Sequence, residues 1–120
     1  MIIYKEFHFD SAHFLPLVPD GHKCKHVHGH TYKLILKFEG EINEKMGWLI
    51  DFAEIKAVVS PIIKLVDHKL LNDITGLENP TCERLAMWFW DMISPEISQL
   101  SQVELRETTT SGAIYTGPTK

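Results

Sequence analysis

The chain has 120 residues, 44% of them hydrophobic and 23% charged, proportions that suit one globular domain and exclude a disordered or collagen-like chain. Twelve Lys and Arg against 16 Asp and Glu leave a net charge of −4, which argues against coating nucleic acid or an anionic membrane. No apolar run nears the roughly 20 residues that span a bilayer, and MIIYKEFHFD lacks a secretion signal's pattern, so a cytoplasmic protein with reduced thiols is expected.

From Ile2 to Phe9, with Ile3, Phe7 and Phe9 on one parity, the pattern predicts a strand. A loop with Pro16, Pro19, Asp20 and Gly21 follows. Alternation resumes from His28 to Glu39, where His28, His30, Tyr32, Leu34, Leu36 and Phe38 share one face. Asp51 reads as a helix N-cap, with Glu54 three residues later and Phe52, Ile55, Val58, Val59 and Ile62 at helical spacing. Pro61 should kink or split that helix. A second helix opens at Thr81 after Pro80, buries Leu85, Trp88, Phe89, Met92 and Ile93, and ends by Pro95. Val103, Leu105 and Glu107 share a face of a third strand, and Ser111-Gly112 turns into a fourth. The whole chain, 1–120, is expected to be one α+β domain of order ββααββ, with the helices covering one face of an antiparallel sheet.

Five of the seven histidines fall between His13 and His30. His28 and His30, two apart on a strand, set their imidazoles side by side, and His13 at a neighbouring strand end completes a triangle. Three imidazoles with a fourth position open suit a catalytic zinc ion. Gly29 between the pair leaves room for close backbone approach. His8 reads as a sheet-face residue, and His22 and His26 as loop residues.

Cys24, flanked by Lys23 and Lys25, is either a small buried filler or a thiol activated as base or nucleophile. Cys82 reads as structural, and the two cysteines make no disulfide framework. Asp67 beside His68 suits a proton shuttle if the two side chains face each other, which adjacent residues often do not. Glu107 points inward at the end of an apolar stripe and needs a partner there. That partner is either an Arg or Lys, or a ligand with two adjacent donors such as the planar edge of a guanine or pterin.

The run SAHFLP, the motif CKHVHGH, the segments GWLIDF, VDHKLLND and ENPTCE, and the late RET together resemble the 6-pyruvoyltetrahydropterin synthase family. The resemblance extends from Phe7 to Tyr115. It implies zinc on His13, His28 and His30, a catalytic Cys24, a catalytic pair Asp67 and His68, and a pterin-anchoring Glu107. It implies a tunnelling fold in which three four-stranded sheets close a barrel and two trimers stack as a homohexamer. Three residues separate Cys24 from His28, the short loop of the carboxytetrahydropterin branch. The implied reaction converts 7,8-dihydroneopterin triphosphate to 6-carboxy-5,6,7,8-tetrahydropterin, acetaldehyde and triphosphate, towards queuosine. The alternatives are elimination to 6-pyruvoyltetrahydropterin without carbon–carbon cleavage, or a module that binds zinc or pterin without turnover. Lys23, Lys25 and Lys33 either attract the triphosphate or remain ordinary solvated lysines.

Overall fold

Strands β1 (Ile2–His13), β2 (His28–Glu39), β3 (Leu100–Arg106) and β4 (Gly112–Tyr115) form one antiparallel sheet in that order. Helices α1 (Phe52–Lys64) and α2 (Cys82–Ile93) lie between β2 and β3 in sequence and pack on one face of the sheet. The structure is a computed structural model that describes residues 1–119. The order ββααββ and the α+β layering match expectation. Among the described residues, no helix is long and apolar enough to cross a membrane.

Alternation decides which face is covered. Phe9, Tyr32, Leu34, Leu36, Val103 and Leu105 are buried on the helix-facing side, against Ile55, Val59 and Ile62 of α1 and Leu85, Phe89 and Ile93 of α2. Each such side chain contributes roughly 1.5–3 kcal/mol by leaving water. Phe9 stacks on Tyr32 with centroids 4.9 Å apart and meets Phe89 at 5.5 Å, which fixes the sheet end that carries the histidines. Asp51 caps α1 by accepting from Ala53 N–H, and Thr81 caps α2 by accepting from Arg84 N–H.

Two elements differ from expectation. β1 runs four residues beyond Phe9, to His13. Its last stretch, Asp10-Ser11-Ala12, is not apolar, and a remote segment holds it instead. Ser11 Oγ donates to the Val66 carbonyl, His68 N–H to the Asp10 carbonyl and Ala12 N–H to the Lys69 carbonyl. The second difference is α1, which is continuous through Pro61. Ala57 and Pro61 are both exposed, so the carbonyl that proline cannot serve lies on the solvent side of the helix, and Ile55, Val59 and Ile62 anchor both sides of the ring.

Candidate active site

The register of β1 and β2 runs unbroken from Ile2 opposite Glu39 to His13 opposite His28, with His30 opposite Ser11. Three imidazoles therefore meet at one corner of the buried face, and their candidate ligand atoms all lie within 4.8 Å of one another. His13 Nδ1 is 2.8 Å from the Pro80 carbonyl, and His28 Nδ1 is 2.8 Å from the His26 carbonyl. A carbonyl only accepts, so each Nδ1 carries the proton and each neutral ring presents a lone pair at Nε2. Those two Nε2 atoms are 3.0 Å apart. Facing lone pairs at that distance repel unless a cation lies between them. His30 Nε2 is buried and has no hydrogen-bond partner among the described residues. Tetrahedral coordination at about 2.0–2.1 Å sets donor nitrogens about 3.3 Å apart, so the donor set fits zinc and similar divalent ions.

Burial holds the His30 pKa below its ordinary value, reinforced by His13 and His28 and opposed by the Glu107 charge. The neutral, ligating form is thereby favoured. Tyr32 lies fully buried beside the triad, its hydroxyl 3.5 Å from His13 Nδ1. Burial first, then the Glu107 charge, pushes its phenol up, so it stays protonated. A Cβ at Gly29 would lie 3.4 Å from the Ser11 carbonyl. That is the edge of ordinary contact, so space alone does not demand the glycine expected there.

Glu107 follows the last residue of β3, with Oε1 3.6 Å from His30 Nε2 and Oε2 4.0 Å from His13 Nε2. Both distances exceed a hydrogen bond. No Lys or Arg among the described residues comes within ion-pair distance of this half-buried carboxylate, which removes the first of its two expected partners. It lines a cavity of about 320 Å3 with Leu15, Thr81, Cys82, Glu83 and Ser111. Gly112 keeps the turn behind it tight, because a Cβ there would collide with the Leu105 and Arg106 backbone.

Asp67 and His68 do face each other: His68 Nδ1 is 3.0 Å from Asp67 Oδ1, which also accepts from Asp10 N–H at 3.0 Å. These hydrogen bonds, the backbone one first, hold the Asp67 carboxyl below its ordinary pKa against the opposing effect of burial. His68 and His30 line one open cavity of about 520 Å3. Among the described residues two clusters bring three candidate ligand atoms together, His13, His28 and His30 in one and the more exposed Asp10, Asp67 and His68 in the other, and Cys24 joins neither.

Cys24 sits in a 3-10 turn, Lys23–Lys25, directly before β2. His22 caps that turn by accepting from Cys24 N–H, and the Cys24 carbonyl accepts from Leu15 N–H. The thiol is half-buried, as its charged flanks suggest. Lys25 does not serve it: its Nζ bonds the Pro16 and Val18 carbonyls and lies 3.5 Å from Asp20. Lys33 likewise pairs with Glu6 at 3.2 Å.

The family of 6-pyruvoyl tetrahydropterin synthase matches residues 2–118. The chain belongs to the 6-pyruvoyl tetrahydropterin synthase family. A Synechocystis protein named 6-carboxy-5,6,7,8-tetrahydropterin synthase is 38% identical, over 98% of this chain and 94% of its own. A Pyrococcus furiosus dihydroneopterin monophosphate aldolase is 39% identical, over 77% of this chain and 73% of its own. The structure of Caenorhabditis elegans 6-pyruvoyl tetrahydropterin synthase superposes with a TM-score of 0.91 at 25% identity, covering 98% of this chain and 96% of that one.

Within this family fold, three contributors escape sequence reasoning. Pro80 and His26 act through backbone carbonyls, which no residue type announces. Cys82 reads as structural and does donate its thiol to the Leu105 carbonyl at 3.4 Å, yet it also walls the Glu107 cavity. Burial, then the Glu107 and Glu83 charges, pushes that thiol up to about 12, so it remains neutral. Its signal was the ENPTCE run, which places it one residue after the α2 cap.

Proposed function

We propose that this protein is a metal-dependent carbon–carbon lyase that converts 7,8-dihydroneopterin triphosphate and one water to 6-carboxy-5,6,7,8-tetrahydropterin, acetaldehyde and triphosphate. The observation that carries the reading is the convergence of three histidine ring nitrogens beside a carboxylate that has no Lys or Arg partner among the described residues. The Synechocystis relative, similar over nearly the full length of both chains, supports the carboxytetrahydropterin branch.

Glu107 accepts from the 2-amino and ring N–H donors of the pterin, orienting the side chain towards the triad. A divalent ion, zinc in this reading, held by His13, His28 and His30, supplies Lewis acidity to the side-chain oxygens. Cys24 as thiolate removes a side-chain proton, and His68, held in one tautomer by Asp67, returns and relays protons. In the proposed assembly, the free edges of β1 and β4 pair between subunits, three sheets close a barrel and two trimers stack. Ile2, Tyr4 and Ile114, exposed on those edge strands, are then covered. A cytoplasmic place in queuosine synthesis belongs to the same reading.

The test is a product assay on zinc-loaded, reduced protein with 7,8-dihydroneopterin triphosphate, read by mass spectrometry with acetaldehyde trapped. Equal amounts of carboxytetrahydropterin and acetaldehyde are expected. A pyruvoyl product without acetaldehyde moves the protein to the sister reaction, and metal binding without turnover on any dihydropterin leaves only a binding module.

A further inference from the structure

The sheet face turned away from the helices carries a charge pattern that the site above does not use. Register places Glu6, Ile35 and Glu104 in one row across β1, β2 and β3, and His8, Lys33 and Arg106 in the next. Like charges directly opposed across two strands destabilise the pairing, so Lys33 opposite Arg106 calls for compensating anions. Glu6 and Glu104 compensate from their own row: Lys33 Nζ is 3.2 Å from Glu6, and Arg106 Nε is 2.7 Å from Glu104.

The same basic row borders a cavity of about 340 Å3, lined by His8, Thr31, Lys33, Arg106, Thr108 and Thr109 and by no carboxylate. Arg106 uses only Nε on Glu104, so both terminal amino groups, the end suited to bidentate contact with phosphate, have no acceptor among the described residues. The Thr109 hydroxyl also makes no hydrogen bond among them. Exposed ion pairs such as Lys33–Glu6 are worth little, so a multivalent anion can compete for the lysine. Thr31 belongs as well to the open cavity of His30 and His68, and Thr108 directly follows Glu107. The basic cavity thus shares Thr31 with the cavity that His30 and His68 line.

We infer that the row His8, Lys33 and Arg106, with the Thr109 hydroxyl, is an oxyanion site for a polyphosphate, either the phosphate tail of the substrate or the polyphosphate it releases. The identity of the donor rests on the pterin triphosphate reading, but binding is measurable without turnover. Inorganic triphosphate is titrated by calorimetry into metal-loaded protein at low salt, with orthophosphate in parallel. Saturable triphosphate binding is expected, weakening as salt rises and at least tenfold tighter than orthophosphate.

Arg106→Gln and Lys33→Gln should each weaken triphosphate binding at least tenfold, whereas Glu104→Gln, which removes a competing carboxylate, should tighten it. His28→Ala should leave it unchanged, since the anion is not held through the metal. Lys33 and Arg106 lie on the solvent side of the sheet, and thermal melts of the variants exclude misfolding as the cause of a loss. Absence of saturable binding, equal affinity for orthophosphate, or wild-type binding by the Arg106→Gln Lys33→Gln double variant overturns the site. If triphosphate binds as described while the product assay fails, the oxyanion site stands and the proposed reaction falls.

Discussion

Asp67 and His68 are neighbours in sequence, yet their side chains meet at 3.0 Å because His68 adopts a left-handed backbone conformation, φ 58. The His68 N–H is drawn to the Asp10 carbonyl at 2.6 Å, and Asp67 accepts from the Asp10 N–H. One residue of β1 thus clamps both members of the pair. Backbone strain at a non-glycine residue is kept where surrounding contacts over-determine it.

That strain separates stability from chemistry. A left-handed residue with a Cβ costs roughly 1–2 kcal/mol, and glycine avoids it. His68→Gly is expected to be about 1 kcal/mol more stable than His68→Ala in thermal melts. Both should lose turnover by a similar factor, on the order of 10²–10⁴ for a proton-transfer group. Equal stability of the two variants removes the strain argument, and near-wild-type turnover in either removes His68 from the mechanism.

Asp67 makes a pH prediction whose sign follows from its depressed pKa. A carboxylate held below its unfolded value, about 3.9, stabilises fully above that value, and the contribution is lost as pH falls through the folded pKa. Asp67→Asn should therefore melt below wild type at pH 7, and the gap should close as pH falls below about 4. A gap that stays constant down to pH 2 contradicts the assignment.

The triad and Cys24 should respond differently to alanine. His28→Ala removes one of the three proposed ligands and leaves His13 Nε2 without its neighbour, so metal content by elemental analysis should collapse. Cys24→Ala, on the turn outside the triad, should retain the metal and lose turnover. Unchanged metal in His28→Ala refutes the ligand set, and full activity in Cys24→Ala refutes the thiol's role.

Much of this was legible because the chemistry rides on alternation. His28 and His30 continue the apolar parity of Tyr32, Leu34 and Leu36, and Glu107 continues that of Val103 and Leu105 although β3 ends at Arg106. The extension of β1 to His13 was not marked by apolar spacing, because its polar residues are satisfied by the segment 66–70, more than fifty positions away. The meeting of Asp67 and His68 depends on one backbone angle that residue identity does not set. Lys25 and Lys33 read as free cations only until their partners, loop carbonyls and Glu6, come into view.

Glu107 offers a test of substrate recognition separate from the metal. Among the described residues its oxygens contact no Lys or Arg, so glutamine keeps the shape, removes the charge and replaces one accepting oxygen with a donor amide. Hydrogen bonds to a charged group contribute about 1.5–3 kcal/mol, so Glu107→Gln should weaken pterin binding roughly 10- to 100-fold. Metal content should not change. Equal pterin affinity in the two proteins would mean that the carboxylate serves the histidines rather than a ligand.

Pro61 tests how α1 tolerates a residue that should interrupt it. A proline in a helix interior costs about 3 kcal/mol, by the lost hydrogen bond and by contact with the preceding turn. Part of that is returned because proline restricts the unfolded chain by about 0.4–1 kcal/mol. Ala57 and Pro61 face water, so alanine at 61 restores a bond to the Ala57 carbonyl without disturbing Ile55, Val59 or Ile62. Pro61→Ala should raise stability by about 2 kcal/mol in denaturant unfolding and leave turnover unchanged, since α1 supplies no group to either cluster. A loss of stability would mean that the proline sets a bend on which the packing of α1 depends.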